Sequence, residues 1–158
     1  MSSLRNRAIE GLRLGDAFTV TRTFTEEDVL RFGDISRDYN PVHYDDRFSE
    51  ARGFTDRICH GLLVASLITE IGGQLGWHAT EMDLKFKKPV YMGDTVRCTL
   101  TITAIDDKGV AEARVDCRNE EDVTVLEGVL AGVAPNPKQK EIMKAMVEEG
   151  DPTNKFAE

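Results

Sequence analysis

The run from Gly61 to Ile71 constrains the fold most, because its only polar residues are Ser66, Thr69 and Glu70. Apolar side chains would point in nearly every direction around a helix of this sequence, and such a helix must be buried. The run is shorter than the ~20 apolar residues that cross a bilayer, so protein has to cover it. The sequence therefore predicts a central helix enclosed by a sheet.

The first turn of this predicted helix is His60-Gly61-Leu62. Backbone N–H groups at a helix start have no intrahelical partner, and they lie at the positive end of the helix dipole. Ser66 lies more than one turn further on. This end of the helix is therefore predicted to suit a partly negative oxygen.

Most of the remaining chain has the alternation of β-strands. Strands are predicted over 16–24, from Met82 to Phe86, over 95–104, over 111–117 and over 123–133, the last inside the sheet or at an interface. Thr25 is predicted to cap a helix that runs to about Ser36, with Ile35 on its apolar face. An amphipathic helix is predicted over 136–150, and the residues beyond it are expected to fray. These elements indicate an α+β domain.

The chain of 158 residues is about one domain in length. The predicted division is an N-terminal segment over 1–15, with no strong pattern, a folded domain over 16–134, and a C-terminal helix and tail over 135–158. A formal net charge of -8 without a Lys/Arg-rich run argues against nucleic-acid binding. No segment is predicted to target or span a membrane. Three cysteines without metal-type spacing are expected to be reduced thiols of a cytoplasmic protein.

A short polar segment before the central helix carries Asp38 and His43. A regular helix or an extended strand would hold these two side chains apart, but Pro41 disfavours helix at Asn40 and promotes a turn. A turn would bring the carboxylate and the imidazole to one point, where they could move protons near pH 7. Spacing and composition alone favour a structural interpretation, with Asp38 as a helix C-terminal or turn residue and His43 as a loop histidine with satisfied hydrogen bonds.

Three motifs occur in order: Asp-Tyr-Asn-Pro-Val-His at 38–43, Cys-His-Gly-Leu-Leu-Val-Ala-Ser at 59–66, and Phe-Lys-Lys-Pro-Val-Tyr-Met-Gly-Asp at 86–94. Together they resemble the MaoC-like dehydratase family, which includes the (R)-specific enoyl-CoA hydratases of hot-dog fold. The resemblance covers roughly residues 16–133. It implies a single hot-dog domain, an antiparallel sheet wrapped around a central buried helix, that works as a homodimer or a higher oligomer of dimers.

The resemblance also implies an activity and a site. The expected reaction is reversible hydration of a trans-2-enoyl thioester to an (R)-3-hydroxyacyl thioester. Asp38 and His43 are the expected catalytic pair, and Gly61 the expected oxyanion donor. Asn40, His60 and Ser66 are expected to bind substrate or support the catalytic groups, with Ser66 holding the Asp38 carboxylate. The structural alternative for Ser66 is an intrahelical hydrogen bond from its hydroxyl to the carbonyl four residues earlier.

The chemistry of these residue types agrees with that activity. Water adds to C3 only if the charge that arrives on the thioester oxygen is stabilised, and an N–H at Gly61 could stabilise it. Neither His-Glu-x-x-His nor paired Cys/His ligands occur, so no metal and no separate cofactor is expected.

The acyl carrier is expected to be coenzyme A or an acyl carrier protein, as part of the substrate. Arg57, Lys85 and Lys87 are candidates for contacts with its phosphates. Two other functions stay open: a hot-dog thioesterase, which would not need Asp38 and His43 on this loop, and a non-catalytic acyl-binding or assembly subunit.

Overall fold

One antiparallel sheet and a central helix form most of the computed structural model, which describes residues 3–155. The elements in chain order are α1 (Leu4–Glu10), β1 (Ala17–Thr23), α2 (Glu26–Ser36), a 3₁₀ turn (Pro41–His43), α3 (Asp46–Ala51), α4 (Gly61–Leu75), β2 (His78–Phe86), β3 (Thr95–Ile105), β4 (Val110–Arg118), β5 (Thr124–Val133) and α5 (Pro137–Glu148).

The five strands follow the order β1-β3-β4-β5-β2, and every neighbouring pair is antiparallel. Tight turns join β3 to β4 and β4 to β5. Strand β5 lies inside the sheet, between β4 and β2, which confirms the interpretation of its two apolar faces. Strand β2, which is longer than the predicted Met82–Phe86 run, and strand β1 form the two edges.

Helix α4 packs on the apolar face of the sheet. Its Leu67, Ile71 and Leu75 are fully buried, as are Leu100 and Val115 from the sheet. Burial of such a side chain contributes roughly 1.5–3 kcal/mol, so this contact is the centre of the core. A central helix packed on an antiparallel sheet confirms the α+β, hot-dog architecture.

Helix α4 is not buried on every side. Leu62 is 63% exposed, and an outward stripe continues through Ser66, Thr69 and Gly73. The prediction of burial all round is therefore wrong for the single chain, because the sheet covers only one side of the helix. Among the described residues, no helix combines the length and the apolar character that a bilayer crossing requires.

Helix α2 begins as predicted. The Thr25 hydroxyl accepts from the Asp28 N–H at 3.2 Å, and the Asp28 carboxylate accepts from the Thr25 N–H at 2.9 Å. Val29 is buried, but Ile35 is 84% exposed. The prediction that Ile35 faces the core is wrong, because Val29 and Gly33 form the buried side of the helix and Ile35 lies on the opposite side.

The two ends of the described chain meet beside the C-terminal part of α4. Arg5 is buried and pairs with Asp151; it also donates to the Thr153 hydroxyl at 3.0 Å and the Gln74 carbonyl at 3.4 Å. Helix α5 lies against α1. The sequence shows no pattern for α1, and the expected fraying after residue 150 is wrong up to residue 155. Residues 156–158 lie outside the described part of the chain.

Candidate active site

A turn after α2 brings Asp38 and His43 together. The Asn40 side chain accepts from the Val42 N–H at 3.2 Å, and Pro41 begins the 3₁₀ turn. The His43 N–H then donates to the Asn40 carbonyl at 3.0 Å. As a result, the Asp38 Oδ2 and His43 Nε2 atoms lie 3.8 Å apart. The predicted convergence of the two side chains is confirmed.

The hydrogen bonds of His43 fix its tautomer. Its Nδ1 lies 2.7 Å from the Ile58 carbonyl, which can only accept, so Nδ1 carries the proton and Nε2 is left with a lone pair. Burial lowers the pKa of His43 from its usual 6.5; the Ile58 carbonyl raises it, the nearby His60 lowers it, and the Asp38 charge raises it. Since the net shift is downward, His43 is neutral at pH 7 and its Nε2 can accept a proton.

The separation between Asp38 and His43 suits a bridging oxygen. A distance of 3.8 Å between the Asp38 Oδ2 and His43 Nε2 atoms is too long for a direct hydrogen bond. A water oxygen about 2.8 Å from each atom would donate one proton to the carboxylate and one to the imidazole. The Asp38 side chain is 49% exposed, so water can reach it. The pair is therefore arranged to hold and activate one water molecule.

The start of α4 supplies a free donor close to this pair. His60 is the N-terminal cap residue of the helix, and the first backbone bond runs from the Val64 N–H to the His60 carbonyl at 3.2 Å. Within the described chain, the Gly61 N–H has no backbone acceptor. It lies at the positive end of the α4 dipole. This is the arrangement that an oxyanion requires.

Gly61 and His43 line one cavity of about 430 Å³, which falls within the range of small-molecule sites. Its walls are mainly apolar side chains of the loop before α4, of α4 and of the segment after β2: Phe54, Ile58, Val64, Phe86 and Val90. Lys87 and Lys88 also line it and are exposed. Asp38 is not part of the lining, but its carboxylate lies 3.8 Å from the Nε2 atom of His43, which is. An apolar chain with an anionic carrier would fit these surroundings.

The absence of a side chain at Gly61 is a steric requirement. A Cβ atom there would lie 2.8 Å from a ring carbon of Phe86. Phe86 ends β2, so the last residue of the edge strand covers the first residue of the central helix. Gly61 and Phe86 both line the cavity, so this close contact shapes one of its walls.

Two predicted site residues, Ser66 and Arg57, have partners other than those expected. The Ser66 hydroxyl donates to the Leu63 carbonyl at 2.6 Å. The expected bond to Asp38 is therefore wrong in this structure, and the acceptor lies three residues earlier on α4, not four. Arg57 is paired with Glu26 at 3.2 Å and Asp46 at 3.0 Å.

Lys85 lines a different cavity, on the outer face of the sheet, and it does not line the cavity that contains Gly61. Lys87 does line the latter, although its ammonium lies 3.5 Å from a Glu127 carboxylate oxygen. Only Lys87 of the three predicted phosphate contacts is therefore placed at the cavity.

Sequence reasoning missed Tyr44. Its hydroxyl donates to the Asp38 carbonyl at 3.3 Å and lies 3.4 Å from His60 Nε2. The available signal was Gly33, a glycine inside a predicted helix. A Cβ atom at Gly33 would lie only 1.7 Å from the Tyr44 hydroxyl oxygen.

Asp38, His43 and His60 each place one potential metal ligand within 4.8 Å of the others. The two imidazole rings are stacked, with their centroids 3.9 Å apart and their planes 30° from parallel. His60 Nε2 lies 3.0 Å from the Asp38 carbonyl and therefore carries a proton. This arrangement does not suit a metal ion.

Comparison with known proteins places the chain in a family. The sequence profile of the family described as "MaoC like domain" matches residues 15–125. The chain belongs to the MaoC-like domain family. That stretch contains the Asp38 loop, the start of α4 and four of the five strands together with the first part of β5.

Similar proteins include two enzymes with curated names. The (R)-specific enoyl-CoA hydratase of Rhodospirillum rubrum is 32% identical over 131 residues, which cover 80% of this chain and 90% of that protein. A mitochondrial 3-hydroxyacyl-[acyl-carrier-protein] dehydratase of Arabidopsis thaliana is 30% identical over 131 residues, 79% of each chain.

A solved structure described as an (R)-hydratase from A. caviae involved in PHA biosynthesis has a TM-score of 0.74 and 30% identity to this MaoC-like domain. The match covers 80% of this chain and 99% of that one. The hot-dog fold is therefore shared with a solved member of the group.

Proposed function

We propose that this MaoC-like domain catalyses reversible hydration of a trans-2-enoyl thioester to an (R)-3-hydroxyacyl thioester. The observation that carries the proposal is the 3.8 Å separation of Asp38 Oδ2 and His43 Nε2, with His43 and the Gly61 N–H on one apolar cavity. The names of the similar hydratases and dehydratases support the same reaction and the (R) configuration.

The chain's own groups supply each part of this reaction. Asp38 and His43 hold the water, and His43 Nε2 takes one of its protons as the water oxygen bonds to C3. The π electrons of the C2–C3 bond move toward the thioester carbonyl, whose oxygen becomes negative and is stabilised by the Gly61 N–H. Delivery of the proton from His43 to C2 completes the addition of one water. No resident cofactor is needed for these steps.

We propose that two copies of the chain associate along β2. This edge strand exposes Met82 and Phe86, and Val129 on the neighbouring strand is exposed as well. An exposed edge with apolar side chains is a surface for strand pairing. Because Phe86 also lies over Gly61, a second copy here would border the cavity. Light scattering should give the mass of a dimer, and Met82→Lys should shift it toward the monomer.

We assign the carrier-binding end of the cavity to Lys87 and Lys88. Both are exposed where the cavity opens, and Lys88 has no carboxylate partner among residues 3–155. A phosphate of coenzyme A or of a phosphopantetheine arm would be attracted to these ammonium groups. Arg57 is not assigned to this role, because it is paired with Glu26 and Asp46. Lys85 is not assigned either, because it lines a different cavity.

We also place the protein in the cytoplasm. All three cysteines are buried free thiols, which fits a reducing compartment. One similar enzyme is mitochondrial by name, so expression of a fluorescent fusion in the source cell is the test of this assignment.

The reaction is tested by mixing the protein with crotonyl-CoA. Hydration removes the enoyl absorbance without release of free thiol, and chiral chromatography of the product should show the (R)-3-hydroxyacyl thioester. Thiol release would instead identify a thioesterase. If the enoyl absorbance stays constant and no thiol is released, while crotonyl-CoA still binds, the protein is a non-catalytic acyl-binding subunit. That result would overturn the proposal.

A further inference from the structure

The backbone carbonyl of Asp38 accepts two hydrogen bonds from different parts of the fold. The Tyr44 hydroxyl donates from the residue after the 3₁₀ turn, at 3.3 Å. His60 Nε2 donates from the cap of α4, at 3.0 Å. One carbonyl therefore joins the loop, the turn and the central helix.

The neighbouring helix α2 makes room for the Tyr44 hydroxyl. A Cβ atom at Gly33 would lie 1.7 Å from this oxygen, so any side chain there would displace it. Gly33 lies in the interior of α2, where glycine is a poor helix former, and its backbone has no positive φ that would call for glycine. The space for the hydroxyl is therefore the feature that this glycine provides.

His60, the second donor, cannot move easily. Its ring is 1% exposed and lies between the ring of Phe32, at 5.1 Å, and that of His43, at 3.9 Å between centroids. The Asp38 side chain, in contrast, is half-exposed and makes its hydrogen bond to the N–H of Asn40 in the same loop. The position of the carboxylate thus depends on how well its main chain is held.

We propose that Tyr44 is a positioning residue, acting with His60 to fix the main chain of Asp38 so that its carboxylate stays beside His43. The Tyr44 hydroxyl bonds to the Asp38 carbonyl and lies against Gly33 of α2, so it acts through Asp38 and not on the substrate. Burial raises the pKa of Tyr44, as do the charges of Asp34 and Asp38, so its hydroxyl remains a donor at neutral and mildly alkaline pH. This inference rests on the proposed hydratase function.

The first test is Tyr44→Phe, which removes one oxygen and keeps the ring. Because a displacement of about 1 Å can cost up to about 100-fold in rate, loss of one of two donors is expected to lower kcat about tenfold, with KM for crotonyl-CoA within twofold of the wild type. Tyr39→Phe is the matched control: that hydroxyl bonds to Asp34 at 3.0 Å in the same region, and its removal should leave kcat unchanged.

The second test uses Gly33. Gly33→Ala should lower kcat at least as much as Tyr44→Phe, because its Cβ displaces the hydroxyl. In the Tyr44→Phe background the same change should cause little further loss, since the nearest remaining atom is the ring carbon that bore the hydroxyl, at 3.1 Å, and it needs to shift by only a few tenths of an ångström. Losses that multiply in the double variant would overturn the proposal, and so would an unchanged kcat in Tyr44→Phe.

A measurement without substrate separates this inference from the proposed function. The Asn40 N–H donates to the Asp38 carboxylate at 3.1 Å, so its hydrogen exchange reports whether Asp38 is held. Exchange at Asn40 should become several-fold faster in Tyr44→Phe and not in Tyr39→Phe. Unchanged exchange would overturn the positioning role even if kcat falls. An inactive wild-type protein would overturn the hydratase function, and the exchange result would still decide the role of Tyr44.

Discussion

The imidazole rings of His43 and His60 stack with their centroids 3.9 Å apart and their planes 30° from parallel. Each ring donates to a backbone carbonyl, His43 to Ile58 and His60 to Asp38. The stack therefore joins the segment before α4 to the loop that carries the proposed base and its carboxylate partner. A positive charge on one ring would lie directly against the other.

The pH dependence should reflect the burial of His43. Its pKa is lowered from 6.5, first of all by burial. Since the reaction needs Nε2 unprotonated, the acid limb of kcat/KM should have its midpoint below pH 6.5. NMR titration of the ring, assigned with His43→Ala, gives the same pKa directly. In Asp38→Asn the pKa should fall further, because the Asp38 charge raises it; a rise would contradict the assignment.

The lowered pKa of His43 should also make the stability of the fold depend on pH. Between the lowered pKa of folded His43 and 6.5, the unfolded chain binds more protons than the folded chain. The contribution of His43 to the free energy of unfolding should therefore be complete above pH 6.5 and decrease as pH falls through this window. Urea titrations of wild type and of a His43→Gln variant at several pH values check it, since the variant should lose this part of the pH dependence.

Loss of either member of the proposed catalytic pair should abolish hydration. Asp38→Asn and His43→Ala each remove a group that holds the water or moves a proton, a contribution of about 10²- to 10⁴-fold. Steady-state assays with crotonyl-CoA measure the loss, and light scattering checks that the oligomer persists. Asp34→Asn, a change of an exposed carboxylate in α2, is the control that should remain active. Full activity in both pair variants would remove their assigned roles.

Gly61→Ala should impair the oxyanion donor. Its Cβ would meet the Phe86 ring at 2.8 Å, and a displaced donor costs about 10²- to 10³-fold in kcat. Gly72→Ala is a matched change in the same helix, where a Cβ has no neighbour within 4 Å; it should keep kcat and stabilise the helix by up to about 1 kcal/mol. Wild-type kcat in Gly61→Ala would be inconsistent with the proposed role.

A substitution of Lys88 should affect substrates whose carrier has phosphate groups and leave substrates without phosphate unaffected. Lys88→Gln is expected to raise KM for crotonyl-CoA about two- to fivefold, the range of an exposed ion pair. KM for the crotonyl thioester of N-acetylcysteamine, which has no phosphate, should not change. Lys85→Gln serves as the control, because Lys85 lines a cavity on the outer face of the sheet. Equal effects on both substrates would exclude a phosphate contact.

Arg37, which precedes the catalytic loop, has a left-handed backbone with φ 58° and ψ 24°. This conformation costs a non-glycine residue about 1 kcal/mol or more, whereas glycine adopts it freely. Arg37→Gly is therefore expected to stabilise the fold by about 0.5–1 kcal/mol in urea titrations, without a change in kcat. Arg31→Gly, within the same helix, should instead destabilise it by about 1 kcal/mol.

Local patterns in the sequence predicted most of the fold. The alternation of β3 and the cap at Thr25 each depend on neighbours within a few residues, and the structure confirms both. The convergence of Asp38 and His43 could also be predicted, because Pro41 restricts the backbone between them. Contacts of this range leave a readable signal in one sequence.

Contacts between distant elements were predicted less well. Ser66 was expected to bond to Asp38, but a helical serine has a carbonyl of its own helix within reach, and it bonds to Leu63. Ile35 has the spacing of a core residue, yet nothing in the described chain covers it. Tyr44 could not be placed without knowing that Gly33 and His60 come together around the Asp38 carbonyl.

The pairing of Arg5 with Asp151 should allow the segments of the chain to be reordered by circular permutation. Since the first and the last described segments meet beside α4, a short Gly/Ser linker could connect them. New ends opened in the exposed 106–109 hairpin would then give a circularly permuted form of residues 3–155 with the Asp38 loop and the α4 cap intact, because such rearrangements require that the joined segments lie close together.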